Sequence, residues 1–165
     1  SSSQVNVPIV ATPKPRSPTE QALFTYGNEA GLAILTFDNA HADMAQVLKD
    51  WFAERANASK IAGVNAIADD LTKAGRSLEA LPSVPAAAVA GNTALASALE
   101  DAGSKLRAVA AAGGGSDAAF VDAMNTYNAA ADSFTSSYIA LAQVFSIYGV
   151  SFSNSDTGSA FQFQQ

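Results

Sequence analysis

Chemistry needs reactive side chains at workable spacing, and one stretch of this chain gathers them. FDNAHADMAQVLKDWF, residues 37–52, holds the single histidine, His41, and the single tryptophan, Trp51. Asp38 precedes His41 by three positions and Asp43 follows by two, so on a helix Asp38 and His41 share a face. An acid three residues before a histidine is half of a dinuclear carboxylate site of the kind built inside four-helix bundles. The other half requires a second histidine, which the chain lacks. Zinc would have to be completed by carboxylates alone, because there are no cysteines. The residues therefore call for no metal and no cofactor.

Nucleophilic chemistry lacks its parts as well. No serine sits in a G-x-S-x-G elbow, and a serine triad would have to take its base from His41 in mid-helix. Gly113-Gly114-Gly115 follows a helical stretch and has no Gly-Lys-Ser or Gly-Lys-Thr after it, so it reads as a turn and not a phosphate loop. Asn154-Ser155-Asp156-Thr157-Gly158 resembles the start of a calcium loop but lacks the remaining ligands and the closing glutamate. Asp69-Asp70 and Glu100-Asp101 fall on outward faces and read as solvated charge. The expectation is a protein that is not an enzyme. His41 is then a partly buried packing residue whose ring bonds a neighbour such as Asp38, and Trp51-Phe52 is a core plug.

The elements that position these residues are helices. Alanine supplies 36 of 165 residues, while glycine and proline mostly punctuate apolar periodic segments. Ser17-Pro18-Thr19-Glu20 supplies an N-cap, a proline at the first helical position and a glutamate able to reach back to the cap. From it Leu23, Ala30, Ile34, Phe37, His41, Met44, Leu48 and Trp51 recur at helical spacing, predicting a helix to about Ala56 that Gly27 and Gly31 could kink or split. A second helix follows a turn at Asn57 and Ser59, carries Ile61, Val64, Ile67, Leu71, Ala74, Leu78 and Leu81 inside, and is ended by Pro82. A third runs from about Pro85 to Ala112 with Val89, Leu95, Leu99, Leu106 and Val109 inside. Ser116 caps a fourth, from Asp117 to Tyr148, whose inner series is Phe120, Met124, Tyr127, Phe134, Tyr138, Leu141, Phe145 and Tyr148. Asp69 with Lys73 and Asp101 with Lys105 stand four apart as acid–base pairs on outer faces.

Four helices joined by short breaks predict an all-α fold, an antiparallel up-down four-helix bundle over residues 18–150. An extended leader, 1–17, precedes it and an irregular Ser/Phe-rich tail, 151–165, follows. In that tail Phe161 and Phe163 alternate with glutamine, the period of a strand. The tail either folds back on the bundle or stays exposed for a partner, and folding back is favoured because exposed phenylalanines are a liability. Two longer outer helices around two shorter inner ones resemble the periplasmic sensor bundles of bacterial receptors. That likeness is of architecture, and architecture does not fix function.

Charge excludes one class of partner. The net charge is −6 and no lysine or arginine follows Arg107, so a nucleic acid would meet repulsion. The longest apolar run, residues 138–150, falls short of the roughly twenty residues of a spanning helix. The serine- and proline-rich start, with Ser1 in place of methionine, resembles the mature end of an exported or lipid-anchored bacterial protein. This predicts an extracytoplasmic place, periplasmic or on the cell surface, with an N-terminal lipid as one way of anchoring it.

The last helix carries Asn125, Thr126, Asn128, Ser133, Thr135, Ser136 and Ser137 where lysine and glutamate would be usual, and charge depletion marks contact surfaces. The leading expectation is a tethered helical module that binds a protein or a cell-envelope component. The alternative is a small-molecule bundle whose pocket is lined by Phe120, Tyr127, Phe134 and Tyr138 with polar groups near His41. Contact residues are expected among these five together with Trp51, Phe161 and Phe163.

Overall fold

The computed structural model describes residues 17–152 and 161–163, with the backbone alone for 45–51, 150–152 and 161–163. The leader up to residue 16 and the calcium-like turn at 154–158 lie outside the described residues. The fold of the described chain is all-α apart from one short strand pair, with helices α1 (Pro18–Glu54), α2 (Ala58–Glu79), α3 (Val89–Ala111) and α4 (Asp117–Ile147). A 3₁₀ turn, Ala86–Ala88, precedes α3, and two three-residue strands follow α4: β1 (Val150–Phe152) and β2 (Phe161–Phe163).

Local signals set most of the boundaries. At the start of α1 the Glu20 N–H donates to Ser17 Oγ and the Ser17 N–H donates to Glu20 Oε1, each at 3.1 Å, so the capping box is closed in both directions. α1 then runs unbroken through Gly27 and Gly31. The split that Gly27 and Gly31 would have allowed does not occur, because both glycines are buried and packing outweighs the ~1 kcal/mol each costs in helix propensity. Asn57 caps α2 by accepting from the Ser59 and Lys60 N–H groups. α3 begins later than its sequence suggests, since the 3₁₀ turn intervenes. Val89, expected inside, therefore starts the helix on its outer side and is 50 % exposed. Ser116 caps α4 through the Ala119 N–H, and Gly149, at φ 73°, turns the chain out of it.

α2 and α3 make the closest approach, with α3 against α4 next. Gly75 lies over Ala96 and Glu100, and Gly103 over Thr72 and Ala68. A Cβ on Gly103 would stand 2.5 Å from Thr72 Oγ1, so only glycine admits the neighbouring backbone. Arg107 donates to Asp69 across the same seam, so Asp69 is paired between helices and not with Lys73 as its spacing suggests. Asp101 and Lys105 do pair, at 3.4 Å.

α1 and α4 meet instead through rings. Tyr26 faces Phe145, Phe37 faces Phe134 and Phe52 faces Phe120, so ascending one helix descends the other. All four helices feed one core, with Leu23, Leu71, Leu99, Leu106, Tyr127 and Phe145 fully buried in it. Among the described residues no helix is long and apolar enough to cross a membrane. The tail is not wholly irregular. β1 and β2 pair antiparallel, Val150 with Phe163 and Phe152 with Phe161, and β2 runs beside α1.

Candidate functional site

The aromatic residues singled out by sequence meet in two places along the α1/α4 seam. At its centre Phe134 stacks on Phe37 with centroids 3.8 Å apart, and the His41 ring lies nearly parallel to that of Phe37 at 5.7 Å. Tyr127 stands 6.4 Å from His41, and Tyr138 is half-buried near Asp38. His41 is exposed, not partly buried, and no hydrogen bond joins it to Asp38. The inner stripe here is carried by Phe37, Ala40 and Met44, which leaves His41 at its edge. Crowding by its surroundings pushes the Asp38 carboxyl up, and the His41 charge pulls it partly back. Tyr138 is raised by burial and then by the Asp38 charge. Tyr127 is buried with its hydroxyl unpaired, and burial pushes its phenol up to about 12.

Phe120 lies at the other place, at the start of α4. Its ring meets Phe52 edge-on at 5.8 Å, and the Arg55 guanidinium lies 5.6 Å from its centroid and 5.2 Å from that of Phe52. Arg55 donates to the Phe52 and Gly115 carbonyls, each at 3.1 Å, and to Asp117 at 2.6 Å. Both clusters tie α1 to α4, and neither lines the cavities between α1 and α2. Trp51 lies on α1, and Phe161 and Phe163 on β2, with side chains outside the described residues.

A concave surface among the described residues lies between α1 and α2. A wide end of about 690 Å³ is walled by Pro18, Ala22 and Tyr26 of α1 against Leu81, Pro82 and Pro85. A middle section of about 200 Å³ follows, between Leu32 and Ala33 on one side and Ala74 and Leu78 on the other. A polar section of about 430 Å³ ends the run, with Asn39 and Asp43 facing Asp70 and Lys73. Glu29 and Leu81 border both the first and second sections, and Thr36, Ala74 and Ser77 both the second and third, so the three form one groove. At 1.5 Å per residue its stretch of α1, from 18 to 43, spans roughly 38 Å.

Sequence reading missed this groove, although a signal for it exists. Thr25, Glu29, Leu32, Thr36, Asn39 and Asp43 follow alternating steps of four and three along α1, and Ile67, Asp70, Ala74 and Ser77 do so along α2, with Leu81 one step further, just past its end. Such spacing keeps a stripe in line over many turns and is how helices seat another helix between them. Each stripe mixes small, polar and apolar residues, and so passes for a solvated face. None of the three sections is lined by Phe120, Tyr127, Phe134 or Tyr138.

Comparison with protein-family models, with curated proteins and with solved structures finds no match to the chain. Function must be read from the surface itself. Among the described residues no three of histidine, aspartate and glutamate come together as metal ligands. Glu79 and Glu100 share a hydrogen bond that raises the Glu100 carboxyl, at the surface between α2 and α3 and outside the groove. The face of α4 offers fewer free groups than its sequence suggests, since the Thr126 and Thr135 hydroxyls donate back to the Asp122 and Ala131 carbonyls.

Proposed function

We propose that the chain is a non-enzymatic binding module, exported or surface-tethered, whose four helices form an antiparallel up-down bundle. It receives an amphipathic helix of a protein or cell-envelope partner in the α1/α2 groove. The observation that carries this reading is the pair of facing stripes, which line a continuous channel of a helix's length. The opposite order of the ring contacts between α1 and α4, and of the α2/α3 contacts, supports the antiparallel bundle. The channel is apolar at its Pro18 end and carries Asp43 and Asp70 against Lys73 at the other, so the helix it suits is apolar along one face and basic at one end. The leader composition supports the tethered placement.

Leu32, 60 % exposed in the middle of the groove, is the place to test this. A photo-crosslinking residue at position 32, introduced in the natural host, should join one partner at a helical segment, while the same residue at Ala108 on α3 should not. No adduct from position 32, or the same adducts from both, would refute the groove as the binding surface. A second reading rests on the wide end alone, whose 690 Å³ and mainly apolar wall fall within the range of small-molecule sites. A metabolite that raises Tm in the native chain but not in an Ala22→Arg variant would favour it.

A further inference from the structure

Resting on the groove reading above, we propose that a second copy of this chain occupies the groove when no partner is present, with the two α1 helices antiparallel across a twofold axis. Each α1 is then a wall of its own groove and the filling of the other, an isologous contact. The spacing along α1 permits this. Thr25, Glu29, Leu32, Thr36, Asn39 and Asp43 form a seam of the kind along which two helices pack, and all are exposed except the half-buried Thr36. An axis between Leu32 and Thr36 sets Leu32 against Thr36 of the second copy, Glu29 against its Asn39 and Thr25 against its Asp43. At the centre the Thr36 hydroxyl already donates to the Leu32 carbonyl at 2.9 Å, so covering it with the second copy's leucine strands no polar group.

Charge selects the direction. Among the described residues neither Glu29 nor Lys73 takes part in an ion pair within the chain. Lys73 lines the same section of the groove as Asn39, so the Glu29 that the second copy sets against Asn39 also comes within reach of Lys73. The twofold axis makes two such pairs. Asp43 and Asp70 meet the wide end of the second copy, whose lining holds no acid but Glu29. Parallel helices would instead set Glu29 on Glu29 and Asp43 on Asp43, which like-charge repulsion disfavours. Area suffices: two adjacent helices about 10 Å wide over roughly 38 Å present about 760 Å² per copy, close to the ~800 Å² per partner of a standard interface. The seam of α1 is mostly polar, so it fills the groove more weakly than the partly apolar, basic-ended helix the groove suits, and yields to it. Partner binding therefore competes with self-association and weakens as the chain is concentrated.

Sedimentation equilibrium on the full chain should show a monomer–dimer equilibrium. Glu29→Lys and Lys73→Glu, with helicity unchanged by circular dichroism, should each raise the dimer Kd at least about tenfold, because each turns two ion pairs into two like-charge contacts. The two together should restore it to within about threefold of the parent. The chain has no cysteine, so register can be read by disulfide formation. A mixture of Thr25→Cys and Asp43→Cys chains should oxidise to a covalent dimer. Either alone should not, since its two sulfurs would stand roughly 27 Å apart along the helices. A chain that stays monomeric at every concentration, single reversals that leave the Kd level, a double variant that does not recover, or a disulfide from either cysteine variant alone would each overturn the proposal. The groove reading fails separately: at position 32 a photo-adduct of twice the chain's mass is the second copy, and an adduct with a different protein is the partner.

Discussion

Tyr26 and Tyr127 are buried to the same degree, but their hydroxyls differ. Tyr26 donates to Asn92 Oδ1 at 2.7 Å, and Asn92 Nδ2 donates to the Leu78 carbonyl at 3.1 Å, so a polar chain crosses the core and is satisfied along its length. The Tyr127 hydroxyl has no partner. Removing one member of a paired set strands the other, at about 1–3 kcal/mol, whereas removing an orphan strands nothing. Tyr26→Phe should therefore lower unfolding free energy by about 1–3 kcal/mol, and Tyr127→Phe should leave it level or raise it by up to about 1 kcal/mol. Urea denaturation of the two variants reads this, and equal losses would contradict it. The same tyrosines set an alkaline limit. Burial raises both phenols above the ordinary 10.0, Tyr127 to about 12, so above pH 10 the unfolded chain gives up protons that the folded chain keeps. Stability must then fall as pH rises from 10 towards 12, with the sign of a group whose folded pKa is raised. In Tyr127→Phe the fall should be shallower, as measured by urea midpoints at about pH 9 and about pH 11.

At the scale of elements, Arg55 is the joint between the end of α1 and the start of α4. Its side chain is 18 % exposed while that of Asp117 is 74 % exposed, so the ion pair itself is screened and the carbonyl and ring contacts carry more of the joint. Asp117→Asn should cost less than about 1 kcal/mol, and Arg55→Ala about 2 kcal/mol, with faster amide exchange in the first turn of α4. Comparable costs for the two would mean that the ion pair dominates. This joint also marks what a linear reading reaches. The Ser17 cap, the inner positions Leu23, Ile34, Phe37 and Met44, and the inner face of α4 are local in sequence, and periodicity exposes them. A pairing of Arg55 with Gly115 and Asp117, some sixty positions away, has no local signature. Asp69 shows the same effect, for its spacing points to Lys73 and its partner is Arg107. His41 was misplaced for another reason: the width of a buried stripe is set by how far the facing helix reaches, and here Phe37, Ala40 and Met44 fill the stripe and leave His41 exposed at its edge. The groove stayed hidden because it belongs to neither helix. Glu29 and Asp43 alone, or Asp70 and Lys73 alone, look like ordinary solvent-facing charge, and only their opposition makes a channel.

Across the whole molecule, packing is uneven in a way that bears on binding. α2 and α3 are brought together by the Gly75 and Gly103 contacts and the Asp69–Arg107 pair, and α3 lies close against α4. α1 is held differently. It leaves the groove open on its α2 side and reaches α4 through ring contacts spaced along its length, at Tyr26, Phe37 and Phe52. Regions with fewer buried contacts open at lower free energy than the global transition, and binding surfaces are drawn from them. α1 should therefore open before the α2/α3 pair does. Native-state hydrogen exchange checks this: amides of α2 and α3 should approach the global unfolding free energy, while those of α1 around Leu32 and Thr36 should exchange through a smaller opening, about 2 kcal/mol or more below it. A ligand seated in the groove spans both walls and ties α1 to α2, so it should raise protection in α1 and leave α3 nearly unchanged. Equal protection of α1 and α3 in the free protein would mean that the groove walls are rigid and that a ligand must fit the channel as it stands.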